Sequence, residues 1–300
     1  MHVIAVVGAT ATGKSGLAIK LARALGGEIV NADSMQLYQG MDIGTAKEPE
    51  AARQGVPHHL LDIWPVTQTA NVADYQKLAR AAIEEITARG RVPLLVGGSG
   101  LYVRAALDDL DFPGTDVGTR ARLEDELARL GPDALHARLA TLDPAAAGAI
   151  LPGNGRRIVR ALEVIEISGR PFTATMPAYQ QNRPAVQIGL TLPRPELDRR
   201  IAARVDRMWQ AGLEAEVRSL VDTGLREGKT ASRALGYQQM LRYLEGDWTL
   251  DQARLETIKA TRRFARRQES WFRRDPRVRW LDAIPEETLL PEALRCARLP

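Results

Sequence analysis

Apolar positions along the chain keep two rhythms, and their alternation predicts the fold. Residues 3–7 (VIAVV) form a short β-branched run of the type buried on both faces of a parallel sheet. A glycine-bearing loop follows, after which Leu17, Ile19, Leu21, Ala22 and Leu25 predict a helix stopped by Gly26 and Gly27. Residues 28–32 (EIVNA) predict a second strand that runs straight into Asp33-Ser34-Met35-Gln36. Residues 75–89 predict a helix ending at Gly90, and residues 92–96 a third strand leading into Gly97-Gly98-Ser99-Gly100. Strands and helices alternating at this spacing argue for a parallel α/β sheet.

The rhythm changes in the middle of the chain. From 113 to 184 the pattern is helical, over residues 120–130, 133–142, 144–150 and 156–168, with no convincing strand. Residues 186–192 restore a buried-type strand, and the rest reads as helix apart from a late strand over 278–281. The simplest organisation is an α/β core made of residues 1–112 and 185–300, with a helical C-terminal part, interrupted by a helical insertion at 113–184.

Composition narrows the setting. Of 300 residues, 45% are hydrophobic but only 5% aromatic, so aliphatic side chains must dominate the core. The single cysteine, Cys296, can make neither an internal disulfide nor a zinc site, which fits a reducing compartment. The start of the chain lacks the basic stretch of a secretion signal, and no run of about 18 apolar residues occurs. A cytoplasmic monomer without a membrane span is the expectation. The net charge of +4 is too mild to identify a nucleic-acid binder by itself.

Chemistry enters with Gly8, Ala9, Thr10, Ala11, Thr12, Gly13, Lys14 and Ser15, which match G-x4-G-K-[ST] at every fixed position. Such a P-loop turns successive backbone amides inward and adds the positive end of the following helix, a grip for phosphate. Lys14 brings a mobile charge to the terminal phosphates, and Ser15 a hydroxyl for phosphate or magnesium. The loop does not say what the phosphates are attached to. A Walker-B strand ending in Asp is missing: residues 94–96 run into Gly97, and His59-Leu60-Leu61-Asp62 is too polar at its start. There is no N-K-x-D guanine signature either.

Asp33 follows a predicted parallel strand, at the sheet edge where ligands bind in open α/β folds. A carboxylate there can take a proton from a nucleophile, hold magnesium, or simply cap the next turn. His58 and His59 come without ligand spacing and read as structural or hydrogen-bonding residues.

Nine blocks, in order over nearly the whole chain, resemble the tRNA dimethylallyltransferase (tRNA isopentenyltransferase) family. They are the P-loop at 8–15, D-S-M-Q-L-Y at 33–38, G-T-A-K at 44–47, H-H-L-L-D at 58–62, G-G-S-G-L-Y at 97–102, R-R-I-V-R-A-L-E at 156–163, A-L-G-Y-Q at 234–238, T-R-R-F-A-R-R-Q at 261–268 and W-F-R at 271–273. The resemblance implies a P-loop NTPase-like core. It also implies transfer of a dimethylallyl group from dimethylallyl diphosphate to N6 of adenosine 37 of tRNA, giving N6-isopentenyladenosine next to the anticodon. The P-loop would then hold the donor's pyrophosphate, with Mg2+ at Ser15, which accords with the missing Walker B. The resemblance casts Asp33 as general base on the adenine amine, with Lys14 and Ser99 beside it. It casts Asp33, Ser34, Met35, Gln36, Ser99, Arg156, Arg157, Ile158, Val159 and Arg160 as contacts to the tRNA anticodon stem-loop. Ser99 and Ser15 stand where many relatives carry threonine, and both keep the hydroxyl. Eukaryotic relatives append a C2H2 zinc finger, which the single cysteine of this chain cannot build.

An exocyclic adenine amine is a weak nucleophile, so the barrier must fall mainly by stabilising charge on departing pyrophosphate. Backbone amides, Lys14, magnesium and an arginine can do that. Arg233 is a candidate for the last, with a solvated surface arginine as the alternative. The basic charge is concentrated: residues 254–279 hold ten basic against three acidic side chains, a local net of +7. Arg262, Arg263, Arg266 and Arg267 recur at helical spacing, interleaved with Phe264, Trp271 and Phe272, as a single-stranded RNA loop requires. A P-loop small-molecule kinase using ATP would share the fold, and a non-catalytic RNA-binding ATPase would share the basic segment.

Overall fold

The computed structural model describes residues 2–175 and 179–298. Its strands are β1 (Val3–Gly8), β2 (Gly27–Asn31), β3 (His58–His59), β4 (Val92–Gly97), β5 (Ala185–Thr191) and β6 (Val278–Asp282). Its helices are α1 (Lys14–Leu25), α2 (Val72–Ala88), α3 (Gly100–Leu107), α4 (Val117–Leu142), α5 (Pro144–Ala149), α6 (Gly155–Ser168), α7 (Arg194–Gln210), α8 (Leu213–Asp222), α9 (Tyr237–Leu244), α10 (Leu250–Phe272) and α11 (Glu286–Arg298). The chain divides into two compact units, residues 1–107 with 183–300, and residues 108–182. Among the described residues no helix is long and apolar enough to cross a membrane.

The first unit is built on one parallel six-stranded sheet in the order β3-β2-β4-β1-β5-β6. The parallel α/β core expected from the strand–helix alternation is therefore present, and the late strand is its β6 edge. The VIAVV run is buried throughout β1, at the centre of the sheet. Ile4, Val6, Leu17, Leu21, Leu94, Ile188 and Leu190 close one core between sheet and helices, so apolar burial fixes both the sheet and the helices around it. Because all strands are parallel, the loops after β1, β2 and β4 emerge at one edge. β4 lies between β1 and β2, so the Gly97–Gly100 segment separates the P-loop from Asp33. The Ala32 amide donates to Val96 at 2.7 Å and the Ser99 amide to Ala32 at 3.4 Å, which extends the strand pairing into the loops.

The second unit is helical. The stretches predicted at 120–130 and 133–142 are the two halves of α4, broken at Gly131 (φ 80°, ψ 166°) just before Pro132. Leu123, Leu135, Leu139, Ile158, Val159 and Leu162 form its core. The Glu163 carboxylate is fully buried, yet it lies between Arg120 and Arg160, and Arg160 also donates to the carbonyls of Pro113 (2.7 Å) and Gly114 (3.2 Å). A buried carboxylate survives only with such partners.

Candidate active site

The P-loop emerges from β1 and closes directly onto α1. Gly13 caps that helix at φ 95°, a left-handed conformation natural to glycine. Ala9 and Ala11 turn their methyls into a small core with Leu197, Ile201 and Ala265, so they serve the site through backbone alone. The Ala9 carbonyl accepts from the Thr12 hydroxyl at 2.9 Å and from the Lys14 ammonium at 2.6 Å. Lys14 is thus folded back across its own loop. Burial and the neighbouring Arg204 guanidinium push Lys14 down to about 7, against the opposing pull of Asp33.

Arg204, which belongs to no motif, reaches this loop. It projects from α7, and its Nη1 donates to the Thr10 hydroxyl at 3.1 Å. Burial and Arg207 lower its pKa, while Glu48 and Asp33 pull the other way. The signal was in the helix period: Leu197, Ile201, Val205 and Met208 recur at helical spacing, and Arg204 interrupts that apolar stripe. Arg233 is instead exposed, on the wall of an adjoining cavity.

Asp33 leaves β2 held by its neighbours. The Asn31 side chain accepts the Asp33 amide at 2.9 Å and donates to the carbonyls of Asp33 and Leu60, each at 3.0 Å. Asp33 Oδ1 accepts the Met35 amide at 3.0 Å. The turn-capping role and the chemical role are therefore compatible, one oxygen serving the turn. Burial raises the Asp33 pKa, although the Met35 amide, Lys14, Arg204 and the Gln36 amide all oppose it.

Two cavities meet at this carboxylate. One, of about 130 Å³, is lined by Lys14, Ser15, Gln36, His58, Arg204 and Gln268. The other, of about 300 Å³, is lined by Met35, Val205, Met208, Leu235, Phe264 and Arg267, with Arg233 on its wall. Thr10, Asp33, Thr45 and Arg204 line both. Ser99 lines neither. Its Oγ accepts the Ser34 amide at 3.3 Å, so it supports the D-S-M-Q turn from behind.

The remaining blocks brace these walls. Gln268 of α10 is buried, accepts the Thr10 amide at 2.9 Å and donates to the Gly98 carbonyl at 2.9 Å, joining the P-loop to the next loop. A Cβ at position 98 would lie 2.2 Å from Gln268 Nε2. Gly98→Ala should therefore displace Gln268 and cost about 1–3 kcal/mol of stability, seen as a lowered melting temperature. Lys47 is buried between Asp42 and Asp62, so the Asp62 that ends H-H-L-L-D serves this ion pair. The His59 ring meets Glu28, and His58 Nδ1 meets the Val56 carbonyl at 2.8 Å. Glu216 of α8 accepts the amides of Asp42 (3.1 Å), Ile43 (2.6 Å) and Gly44 (3.1 Å), and the Tyr237 hydroxyl at 2.6 Å.

Two expectations for RNA contacts need correction. Ile158 and Val159 are core residues of the second unit, so their side chains do not face a ligand; in that segment Arg156 and Arg157 are the exposed members and Arg160 is spent on Glu163. Arg262 is turned toward α7, donating to the Asp198 carbonyl at 3.3 Å, whereas Arg263, Arg266 and Arg267 are exposed.

Comparison with known proteins gives a consistent answer. The family pattern described as IPP transferase matches residues 36–275. The chain is 72% identical over 284 residues to the tRNA dimethylallyltransferase of Thermobifida fusca, covering 93% of this chain and 89% of that one. It is 68% identical over 291 residues to that of Streptomyces coelicolor, covering 97% and 93%. Among solved structures it resembles the tRNA isopentenylpyrophosphate transferase of Bacillus halodurans (TM-score 0.72, 41% identity, 99% of this chain and 95% of that one). It also resembles a eukaryotic dimethylallyltransferase acting on tRNA (TM-score 0.83, 26% identity, 98% and 77%).

Proposed function

The chain belongs to the IPP transferase family, and from that premise we propose that it moves a dimethylallyl group from dimethylallyl diphosphate to N6 of adenosine 37, beside the anticodon of tRNA, in the cytoplasm. It is a prenyl-transferring enzyme acting on tRNA, and its relatives give the ATP-dependent kinase reading no support. The observation that carries the finer reading is Asp33 at the junction of two unlike cavities, one built for phosphate and one apolar with basic walls.

In this reading the diphosphate sits against the P-loop amides, Lys14 and Arg204, and the adenine amine approaches past Asp33. The N6 lone pair forms a bond to C1 of the prenyl group as the C1–O bond breaks. The electron pair leaves on pyrophosphate, where Lys14, Arg204 and the loop amides stabilise it. The N6 proton passes to the Asp33 carboxylate, whose raised pKa makes it a better base. Magnesium fits the donor set: Ser15 offers one hydroxyl in the phosphate cavity, and a magnesium ion that stays largely hydrated takes its other oxygens from phosphate. When bound there, it would neutralise charge on the diphosphate.

Incubating the protein with labelled dimethylallyl diphosphate and an anticodon stem-loop carrying adenosine 37 should label the RNA at that base. Labelling that persists when adenosine 37 is replaced by guanosine would overturn the site assignment, and ATP turnover on a small acceptor would overturn the reaction. In this reading the exposed Arg156 and Arg157 contact tRNA phosphates. Replacing both by alanine should weaken binding of every tRNA alike and reduce the slope of log K against log salt by about two, measured by titration at several salt concentrations.

A further inference from the structure

We propose that Trp271, ringed by Arg266, Arg267 and Arg274, is a stacking platform for a second, unpaired tRNA nucleotide, one that flanks the nucleotide receiving the prenyl group. The inference rests on the tRNA reading above and adds a subsite outside the reaction cavity.

Three observations converge. Trp271, at the end of α10, remains 39% exposed, while its neighbour Phe272 is buried at 3%. The indole is nonetheless held in place: a Cβ on Gly100 would lie 2.1 Å from its Cδ1 and Nε1, so the pyrrole edge rests directly on backbone. A large aromatic fixed by one edge and open elsewhere offers a surface on which a base stacks without ordering a mobile side chain.

The second observation is the recess beside the ring. It measures about 370 Å³ and is lined by Trp271, Ser270 and the three arginines. Arg267 also lines the larger cavity at Asp33, so the two spaces share a wall. A nucleotide on Trp271 is thereby adjacent to the one entering the reaction cavity, yet Trp271 does not line that cavity.

The third is the state of the charges. Arg273, one residue from Arg274, is paired with Glu269, as Arg199 and Arg200 are with Glu196 and Arg218 is with Glu214. Arg266, Arg267 and Arg274 are exposed and have no carboxylate partner among the described residues. Arg267 lies over the Phe264 ring at 5.7 Å and no carboxylate neutralises the three guanidinium groups, so beside the open indole they match a base with its flanking phosphates.

The test uses the full chain and an anticodon stem-loop. Trp271→Ala should raise the RNA Kd and the RNA KM by about tenfold, with the KM for dimethylallyl diphosphate and the melting temperature little changed. Trp271→Phe should recover most of the affinity, because a smaller ring still stacks. RNA should quench tryptophan emission in the parent protein, and most of that quenching should vanish in Trp271→Phe. Gly100→Ala, which pushes the ring aside without removing it, should weaken RNA binding in the same direction. Unchanged RNA affinity in Trp271→Ala, or a loss confined to kcat, overturns the proposal. Should Trp271→Ala fail to fold, undiminished quenching in Trp271→Phe overturns it instead. A parent protein that binds the stem-loop but prenylates no RNA counts against the function reading and leaves the platform to these binding measurements.

Discussion

Asp33→Asn should lower kcat by at least about a hundredfold while affinity for RNA and for the diphosphate stays within about twofold. The asymmetry follows from how the side chain is used. Asp33 Oδ1 accepts the Met35 amide at 3.0 Å, and an asparagine oxygen can accept the same bond, so the turn persists. What disappears is the anionic oxygen that takes the amine proton in the proposed reaction. The pH profile supplies a second check. Burial raises the Asp33 pKa above the ordinary carboxylate value of 3.8, so the base is ionised above that raised value and activity falls as pH drops through it. The acid limb of kcat in the parent enzyme should be missing from the residual activity of the variant. Equal loss of RNA binding and turnover would instead make Asp33 a structural residue.

Arg204→Ala should reduce kcat/KM by about a hundredfold to a thousandfold, the scale expected when one preorganised donor to a developing anion is removed. It should also move a titration. Lys14 is held at about 7 by burial and by Arg204, so in the free enzyme it is largely charged below pH 7 and largely neutral above it. Diphosphate affinity in the parent protein should therefore weaken as pH rises through 7. Removing the like charge of Arg204 raises the Lys14 pKa, so the break should shift to higher pH. Ligand ionisation is the same for both proteins, and the displacement between their curves reports the lysine alone. Coincident breaks would separate Arg204 from the phosphate grip.

These residues differ in how they could be found from sequence. Short β-branched runs exposed the strands because parallel strands covered on both faces need continuous apolar sequence. Asp33 was legible from its place after one such strand, and the P-loop from its spacing. Arg204 and Gln268 were not singled out, because each acts across tertiary contacts: α7 and α10 carry them to a loop near the start of the chain. Both left the same trace, a polar residue on an otherwise buried helical stripe. The trace for Ile158 and Val159 was of the opposite kind. Their block resembles an RNA-binding segment, but Ile158, Leu162 and Ile165 keep a helical period, and that period places the pair in the core. Block resemblance identifies a segment; periodicity decides which of its side chains face outward. The basic run divides similarly, with Arg262 turned to α7 by a packing contact that composition cannot reveal.

The turn at 42–44 carries its own consequence. Its three consecutive amides converge on the Glu216 carboxylate, the same geometry by which a P-loop grips an anion. The turn thus carries its own anion, a tethered carboxylate at an effective concentration that few free ions reach. A diphosphate held at the P-loop, as proposed above, would find no rival cradle at 42–44, where Glu216 already takes all three amides.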